Sequence, residues 1–201
     1  RGDQPILPRR AMIRGKALNA IAVLEAELLI GNPVERLEES RVLFEALGPA
    51  GKHGLAYALF RLADWSSDAD RKKVMLEESL ALLHEVGDKF GIAECLMVLA
   101  SSARDQGHYE QVRAIDKEHL ALRKEIGDKD GIAIAYAHSG ITALLQGEYQ
   151  EARKLLEESL AGFRELNNKW GISLVLNWLG DGAWEQGDHG QAVRVVEEAL
   201  V

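Results

Sequence analysis

The sequence predicts an all-α fold, a right-handed superhelical solenoid of antiparallel helix pairs. Two observations carry this reading. A heptapeptide recurs at a fixed interval: GDKFGIA at 87–93, GDKDGIA at 127–133 and NNKWGIS at 167–173. Self-similarity at a period of about 20–50 residues marks stacked repeats. Between the recurrences, apolar residues keep helical spacing. Ala152, Leu155, Leu156, Leu160, Phe163 and Leu166 fall three or four residues apart and form one stripe of a helix.

The glycine that opens each GIA or GIS marks the units. Gly91, Gly131 and Gly171 are 40 residues apart, Gly54 lies 37 before Gly91, and Gly15 lies 39 before Gly54. Five units follow: 15–53, 54–90, 91–130, 131–170 and a shorter 171–201. Each unit reads as two helices. The turn inside it is QGHY at 106–109, QGEY at 146–149 and QGDH at 186–189. Its glycine ends the first helix in a left-handed cap, where a side chain would be strained. Gly87 and Gly127 end the second helix in the same way, and Asp88 and Asp128 are placed to cap the helix that follows. The heptapeptide is therefore a helix junction. It is not a phosphate loop, since no strand precedes it and the G-x-x-x-x-G-K-[ST] spacing is missing.

Small residues recur as well. Ala100, Gly140 and Gly180 share one position of the first helix, and Val112, Ala152 and Ala192 are expected to face it from the second. With the turn glycine seven residues on, this arrangement resembles the tetratricopeptide repeat over residues 15–201. The match is clearest in the last three units; the first two lack QG-x-Y, and about three residues are missing between LAD at 62–64 and LEESL at 76–80. The 40-residue form, with LEESL and GDK-x-GIA, resembles the C-terminal helical arm of bacterial signal-transduction ATPases with numerous domains, including LuxR-type and SARP-type transcriptional regulators. That resemblance implies a sensor or interaction arm that restrains a nucleotide-binding domain. It implies no residue-level site, because the shared motifs are structural.

Composition narrows the partners. The formal net charge is −8, which argues against nucleic acid and against anionic membranes. Cys95 is the single cysteine, so no internal disulfide forms, and a cytoplasmic location is expected. The chain starts without Met and stops inside an apolar-periodic run, so a piece of a larger protein is expected. The last stripe, Ala192, Val195, Val196, Ala199 and Leu200, has no following helix to cover it, which suggests self-association through an open C-terminal end.

No catalytic constellation, cofactor motif or metal-ligand spacing emerges. HEVGD at 84–88 lacks the second histidine of H-E-x-x-H, and DWSSDAD at 64–70 lacks the glycine and glutamate of a calcium loop. Cys95, among apolar neighbours, reads as a structural thiol. Two candidate sites remain. The first is the inner face of the first helices, carried over as Phe60, Asp64, Met97, Arg104, Ile141, Leu144, Asn177, Asp181 and Trp184. It would take a peptide or partner helix, from another protein or from another domain of the same chain. Trp178 is expected to pack between helices, and Trp65 and Trp170 to fill interfaces.

The second candidate is a break in the repeat. Where unit two has Leu76, Ser79 and Leu83, and unit four has Leu156, Ser159 and Phe163, unit three has Asp116, His119 and Arg123. The spacing puts all three on one helix face, toward a helix that carries Tyr136, His138 and Ser139. Three readings stand: a hydrogen-bonded polar seam that fixes register, a crevice for a small polar ligand, or a rotated helix that leaves them in solvent. The function read from sequence is a non-catalytic interaction or sensor scaffold of a cytoplasmic regulator. The alternative is a small-ligand receptor with its pocket between units three and four.

Overall fold

The computed structural model describes residues 8–28 and 30–199. The initial Arg1-Gly2-Asp3 and Leu200 lie outside them. The described residues are helical throughout, with no strand. In order they form α1 (Pro8–Glu27), α2 (Pro33–Ala46), a 3-10 turn (Gly48–Gly51), α3 (Lys52–Asp64), α4 (Ala69–Val86), α5 (Lys89–Asp105), α6 (Tyr109–Ile126), α7 (Lys129–Leu145), α8 (Tyr149–Glu165), α9 (Lys169–Glu185) and α10 (His189–Ala199). The chain divides into two compact units, Arg1–Cys95 and Leu96–Val201, with the boundary inside α5. In the first unit α1 packs on α2, α2 on α3, and α3 on α4. In the second, α6 packs on α7, α7 on α8, α8 on α9, and α9 on α10.

The recurring heptapeptide has a three-part structural cause. Gly87 and Gly127 both sit at φ +71°, and the amides of Asp88 and Asp128 reach back to the carbonyls of Leu83 and Arg123. This satisfies carbonyls that the helix end would otherwise leave unpaired. The same aspartates then turn forward, and their Oδ1 atoms accept from the amides of Gly91 and Gly131, each at 3.0 Å. Asn168 does the same for Gly171 at 3.0 Å. The glycine that receives this bond is needed for a second reason. A Cβ on Gly91 would fall 2.7 Å from Leu83, one on Gly131 2.5 Å from Arg123 Cδ, and one on Gly171 2.5 Å from the Phe163 ring. The side chain that ends one helix lies on the first turn of the next.

The first two helix pairs vary this scheme. α1 starts at Pro8, seven residues before Gly15, so the first helix is longer than the repeat spacing suggests. The α3–α4 link has no left-handed glycine. Asp68 instead caps α4, its Oδ1 accepting from the amides of Asp70 and Arg71 at 3.0 Å. In the second unit the core is built by Ala133, Ala137 and Ile141 of α7, Leu156, Leu160 and Phe163 of α8, and Val175 and Leu176 of α9. One polar device recurs: Ser40 donates to the Gly15 carbonyl at 3.0 Å, Ser79 to Ala56 at 2.8 Å, and Ser159 to Ala133 at 2.7 Å. Each small hydroxyl ties a second helix to a first.

Two expectations are met in part. Ala100 packs with Val112 and Gly180 lies near the Ala192 carbonyl as expected, but Gly140 meets Leu156, while Ala152 packs on Ala143 and Leu144. The α10 stripe is covered in part: Ala192 is buried, Val195 and Ala199 pack partly buried on the core, and Val196 reaches Gly180 yet stays 40% exposed, because part of this face turns onto α9. No helix among the described residues is long and apolar enough to cross a membrane.

Candidate functional site

Asp116, His119 and Arg123 of α6 are 4%, 0% and 2% exposed, so the rotated-helix reading is excluded. They form two separate groupings. Arg123 Nη1 donates to Asp128 Oδ2 at 2.7 Å, and its Nε donates to His119 Nε2 at 3.1 Å. Since Nε2 accepts, the neutral ring carries its proton on Nδ1, which has no partner among the described residues. Burial, then the Arg123 charge, pushes His119 down to about 4, with Asp128 working the other way.

The other grouping lies one turn earlier. Asp116 Oδ2 accepts from Thr142 Oγ1 at 3.2 Å, and the same hydroxyl lies 2.9 Å from the His138 carbonyl. Arg104 Nη1 reaches that carbonyl at 3.5 Å. Burial pushes the Asp116 carboxyl up to about 6 against the pull of Arg104 and Thr142. Burial also holds Arg104 below its ordinary value, with Asp116 opposing, and takes His138 down to about 3. Asp116 Oδ1, Arg104 Nε and Nη2, and His138 Nδ1 have no hydrogen-bond partner among the described residues. Tyr136 is not part of this network. Its hydroxyl accepts from Lys124 Nζ at 3.0 Å at the surface, because α7 turns that side outward.

The inner-face positions divide. Phe60, Arg104, Ile141 and Leu144 are buried at 5%, 9%, 8% and 9% exposure, so none of them is a free anchor. Ile141 faces Leu156 and Leu160 in the core, and Arg104 turns its head under His138. Met97 is half-buried, and Asp64, Asn177, Asp181 and Trp184 are exposed. In the first unit Asp64 borders a recess of about 380 Å³ with Ala22, Arg61 and Trp65. In the second, Leu144, Asp181 and Trp184 line one recess of about 540 Å³. Its other walls are Leu145, Gln146, Gly147, Tyr149, Trp178 and Glu185, which sequence reasoning did not select as binding residues. Leu145 and Trp184 are 49% and 58% exposed. A smaller recess of about 200 Å³ shares Leu144, Tyr149 and Trp178. Trp178 packs on the core and lines both recesses. Trp65 and Trp170 are 49% and 68% exposed and fill no interface within the chain, since both stand at helix ends that point outward. Cys95 is buried, 3.4 Å from Ser79 Oγ, and burial takes its thiol up to about 11. Among the described residues no three His, Cys, Asp or Glu side chains converge as metal ligands.

The paired helices, the left-handed turn glycines and the small-residue crossings define a helical-repeat fold of tetratricopeptide type. Residues 131–200 match the family model of the tetratricopeptide repeat. Solved structures share the fold. A Rap protein complexed with Competence and Sporulation Factor is 14% identical, with a TM-score of 0.74 over 94% of this chain and 54% of that one. A signal-transduction ATPase with numerous domains from Pyrococcus horikoshii, carrying a tetratricopeptide repeat sensor, is 16% identical, with a TM-score of 0.75 over 96% of this chain and 30% of that one. BtubC from P. vanneervenii is 18% identical, with a TM-score of 0.74 over 96% and 81%. The chain thus spans about half the length of the Rap protein and less than a third of the ATPase. No curated protein matches the sequence.

Proposed function

We propose that this chain is a protein-interaction module of a larger cytoplasmic signalling or transcriptional regulator, which takes a peptide or partner helix on the exposed side of its second unit. Tetratricopeptide folds typically serve as non-catalytic interaction scaffolds. The observation that carries the reading is the aromatic recess of about 540 Å³ beside exposed Leu145 and Trp184. Exposed large apolar groups around a concavity are what a binding groove needs and what a merely solvated wall avoids. The Rap protein of similar fold was solved with a bound factor, and the ATPase of similar fold uses its repeats as a sensor, both of which support this class of role. The partner segment belongs either to another protein or to another domain of the same chain. Selection of peptides from a displayed library, followed by calorimetry on the parent chain and Trp184→Ala, tests the site. Selected peptides should lose most of their affinity for the variant; unchanged affinity would place binding elsewhere.

A second reading rests on the unpartnered buried atoms of Asp116, Arg104 and His138. Buried polar groups are normally satisfied. A small ligand carrying both donor and acceptor groups would satisfy them. Thermal-shift screening of polar metabolites against the parent and Asp116→Asn separates this receptor reading from the first.

A further inference from the structure

The large recess of the second unit has a charge character that restricts what enters it. Three aromatic side chains, Tyr149, Trp178 and Trp184, line it together with Asp181 and Glu185. No Lys or Arg lines it. Asp181 and Glu185 stand one turn apart on α9, a spacing at which like charges repel. Neither has an ion pair or side-chain hydrogen bond among the described residues, whereas nearby Glu148 is paired with Arg113 and Glu157 with Arg153. Residues 131–201 carry ten carboxylates against five Lys or Arg. Among the described residues the one cation bonded to the recess wall, Arg113 on Gln146, is paired with Glu148 and not with Asp181 or Glu185, while the His189 ring lies 4.3 Å from that of Trp184. Aromatic faces are negative at their centres and attract cations, most strongly in tryptophan.

From this combination we infer that the recess between α7 and α9 receives an arginine side chain of the partner peptide, its guanidinium stacked on the Trp178 and Trp184 rings and paired with Asp181 and Glu185. The inference rests on the peptide-binding reading above. Arginine suits the site better than lysine because a planar guanidinium both stacks on rings and forks onto carboxylates. Exposed Leu145 gives an apolar neighbour of that arginine a place to lie. A neutral peptide would leave two like charges unrelieved, and an acidic one would add a third.

The test uses acetylated, amidated pentapeptides of sequence Ala-Leu-X-Leu-Ala, with arginine, its uncharged isostere citrulline, or glutamate at X. Affinity is read by calorimetry, and the site by the indole N–H resonances of the four tryptophans. The arginine peptide should bind about tenfold more tightly than the citrulline peptide, as expected for a partly desolvated cation–ring contact with carboxylate pairing. It should shift the Trp178 and Trp184 resonances and leave Trp65 and Trp170 in place. Asp181→Asn combined with Glu185→Gln, two exposed changes that leave the fold intact by circular dichroism, should bring arginine affinity down to the citrulline level. Equal binding of arginine and citrulline peptides, tighter binding of the glutamate peptide, or no shift at Trp178 and Trp184 overturns the inference. Library-selected peptides that need Trp184 but carry no cation overturn it too, while leaving the peptide-binding reading intact. A library without any Trp184-dependent binder overturns both.

Discussion

Helices α6 and α8 hold the same place in successive repeats and bury opposite chemistry. α8 inserts Leu156, Ser159 and Phe163, at 1%, 0% and 0% exposure. α6 inserts Asp116, His119 and Arg123, at 4%, 0% and 2%. The shape is retained while the character inverts. The stem of Arg123 lies on Gly131 where the Phe163 ring lies on Gly171. What makes the exchange tolerable sits five residues downstream. Asp128 caps α7 through Oδ1 and pairs with Arg123 through Oδ2. In the next repeat Asn168 caps α9 through Oδ1, and its amide nitrogen donates to Asp130 at 3.0 Å. The cap carboxylate serves as a counter-charge where the buried residue is Arg123; where it is Leu83, the second oxygen of the Asp88 cap turns instead to Tyr57 and His53. A repeat fixes the space to be filled, and local compensation decides what fills it.

The severest break of this comparison places the cation in the wrong repeat. Phe163→Arg removes a fully buried ring and buries a charge beside an uncharged cap. It should destabilise the protein by more than about 3 kcal/mol in chemical denaturation. Adding Asn168→Asp should restore part of that loss. No restoration would mean that Asp128 is a helix cap and not the counter-charge of Arg123.

The next largest effect concerns Asp116, where α8 has Leu156. Asp116→Leu leaves Arg104 buried without its facing carboxylate and should cost about 1–3 kcal/mol. Combined with Arg104→Met it should come close to neutral, because removing both partners of a buried charge pair removes their desolvation too. If the two changes simply add, Arg104 and Asp116 do not interact in the folded state.

The break in the pattern was visible in the sequence; its compensation was not. Periodicity alone places Leu156 and Phe163 in the core, and alignment of the repeats exposes Asp116, His119 and Arg123 as misfits on one face. It is silent on where long polar side chains go. Arg104 carries over to the inner face by position, yet its four-atom stem lets the guanidinium turn under the His138 carbonyl. Asp128 reads as a cap, and its second oxygen, the one on Arg123, has no sequence signature. Tyr149 belongs to the turn motif QGEY and so passes for punctuation, although its ring lines both recesses. The register of the repeat places Ile141 and Leu144 on the inner face, but α8 packs close enough to bury them.

A pH series sharpens the contrast further. His119 and His138 stay neutral in the fold down to about 4 and about 3, whereas unfolded imidazoles take up protons near 6.5. Below about pH 6.5 the unfolded chain therefore gains protons that the fold refuses, and stability falls. Asp116 works the other way. Its carboxyl protonates in the fold at about 6, before an unfolded aspartate does near 3.9, so it adds stability as the pH falls between those values. Two imidazoles outweigh one carboxyl, and net stability should drop on acidification. His119→Ser, which installs the residue that α4 and α8 use, should flatten the drop by about one proton in slope. Asp116→Asn should steepen it. Denaturation midpoints across this range give the slopes directly, and a His119→Ser slope equal to the parent's would mean that this ring is protonated in the fold.

The smallest expected effect lies where the two helices end. α6 closes on Gly127 at φ +71°, but α8 closes on Asn167 at φ +53°, the one non-glycine residue with positive φ among those described. Asparagine tolerates the left-handed region better than most residues, though less well than glycine. The Asn168 amide still reaches the Phe163 carbonyl at 2.9 Å, so the closing bond is intact despite the substitution. Asn167→Gly should therefore relieve backbone strain without creating or losing a contact. It also loosens the unfolded chain, which offsets part of the gain. The net result should be a stabilisation of about 0.5 kcal/mol, the left-handed penalty of roughly 1–2 kcal/mol less the unfolded-chain term of roughly 0.4–1 kcal/mol. Gly127→Asn should lower stability by a similar amount. Unequal exchange, with one substitution neutral and the other costly, would show that the α6 end is held by more than its glycine, with the Arg123–Asp128 pair that α8 lacks as the cause.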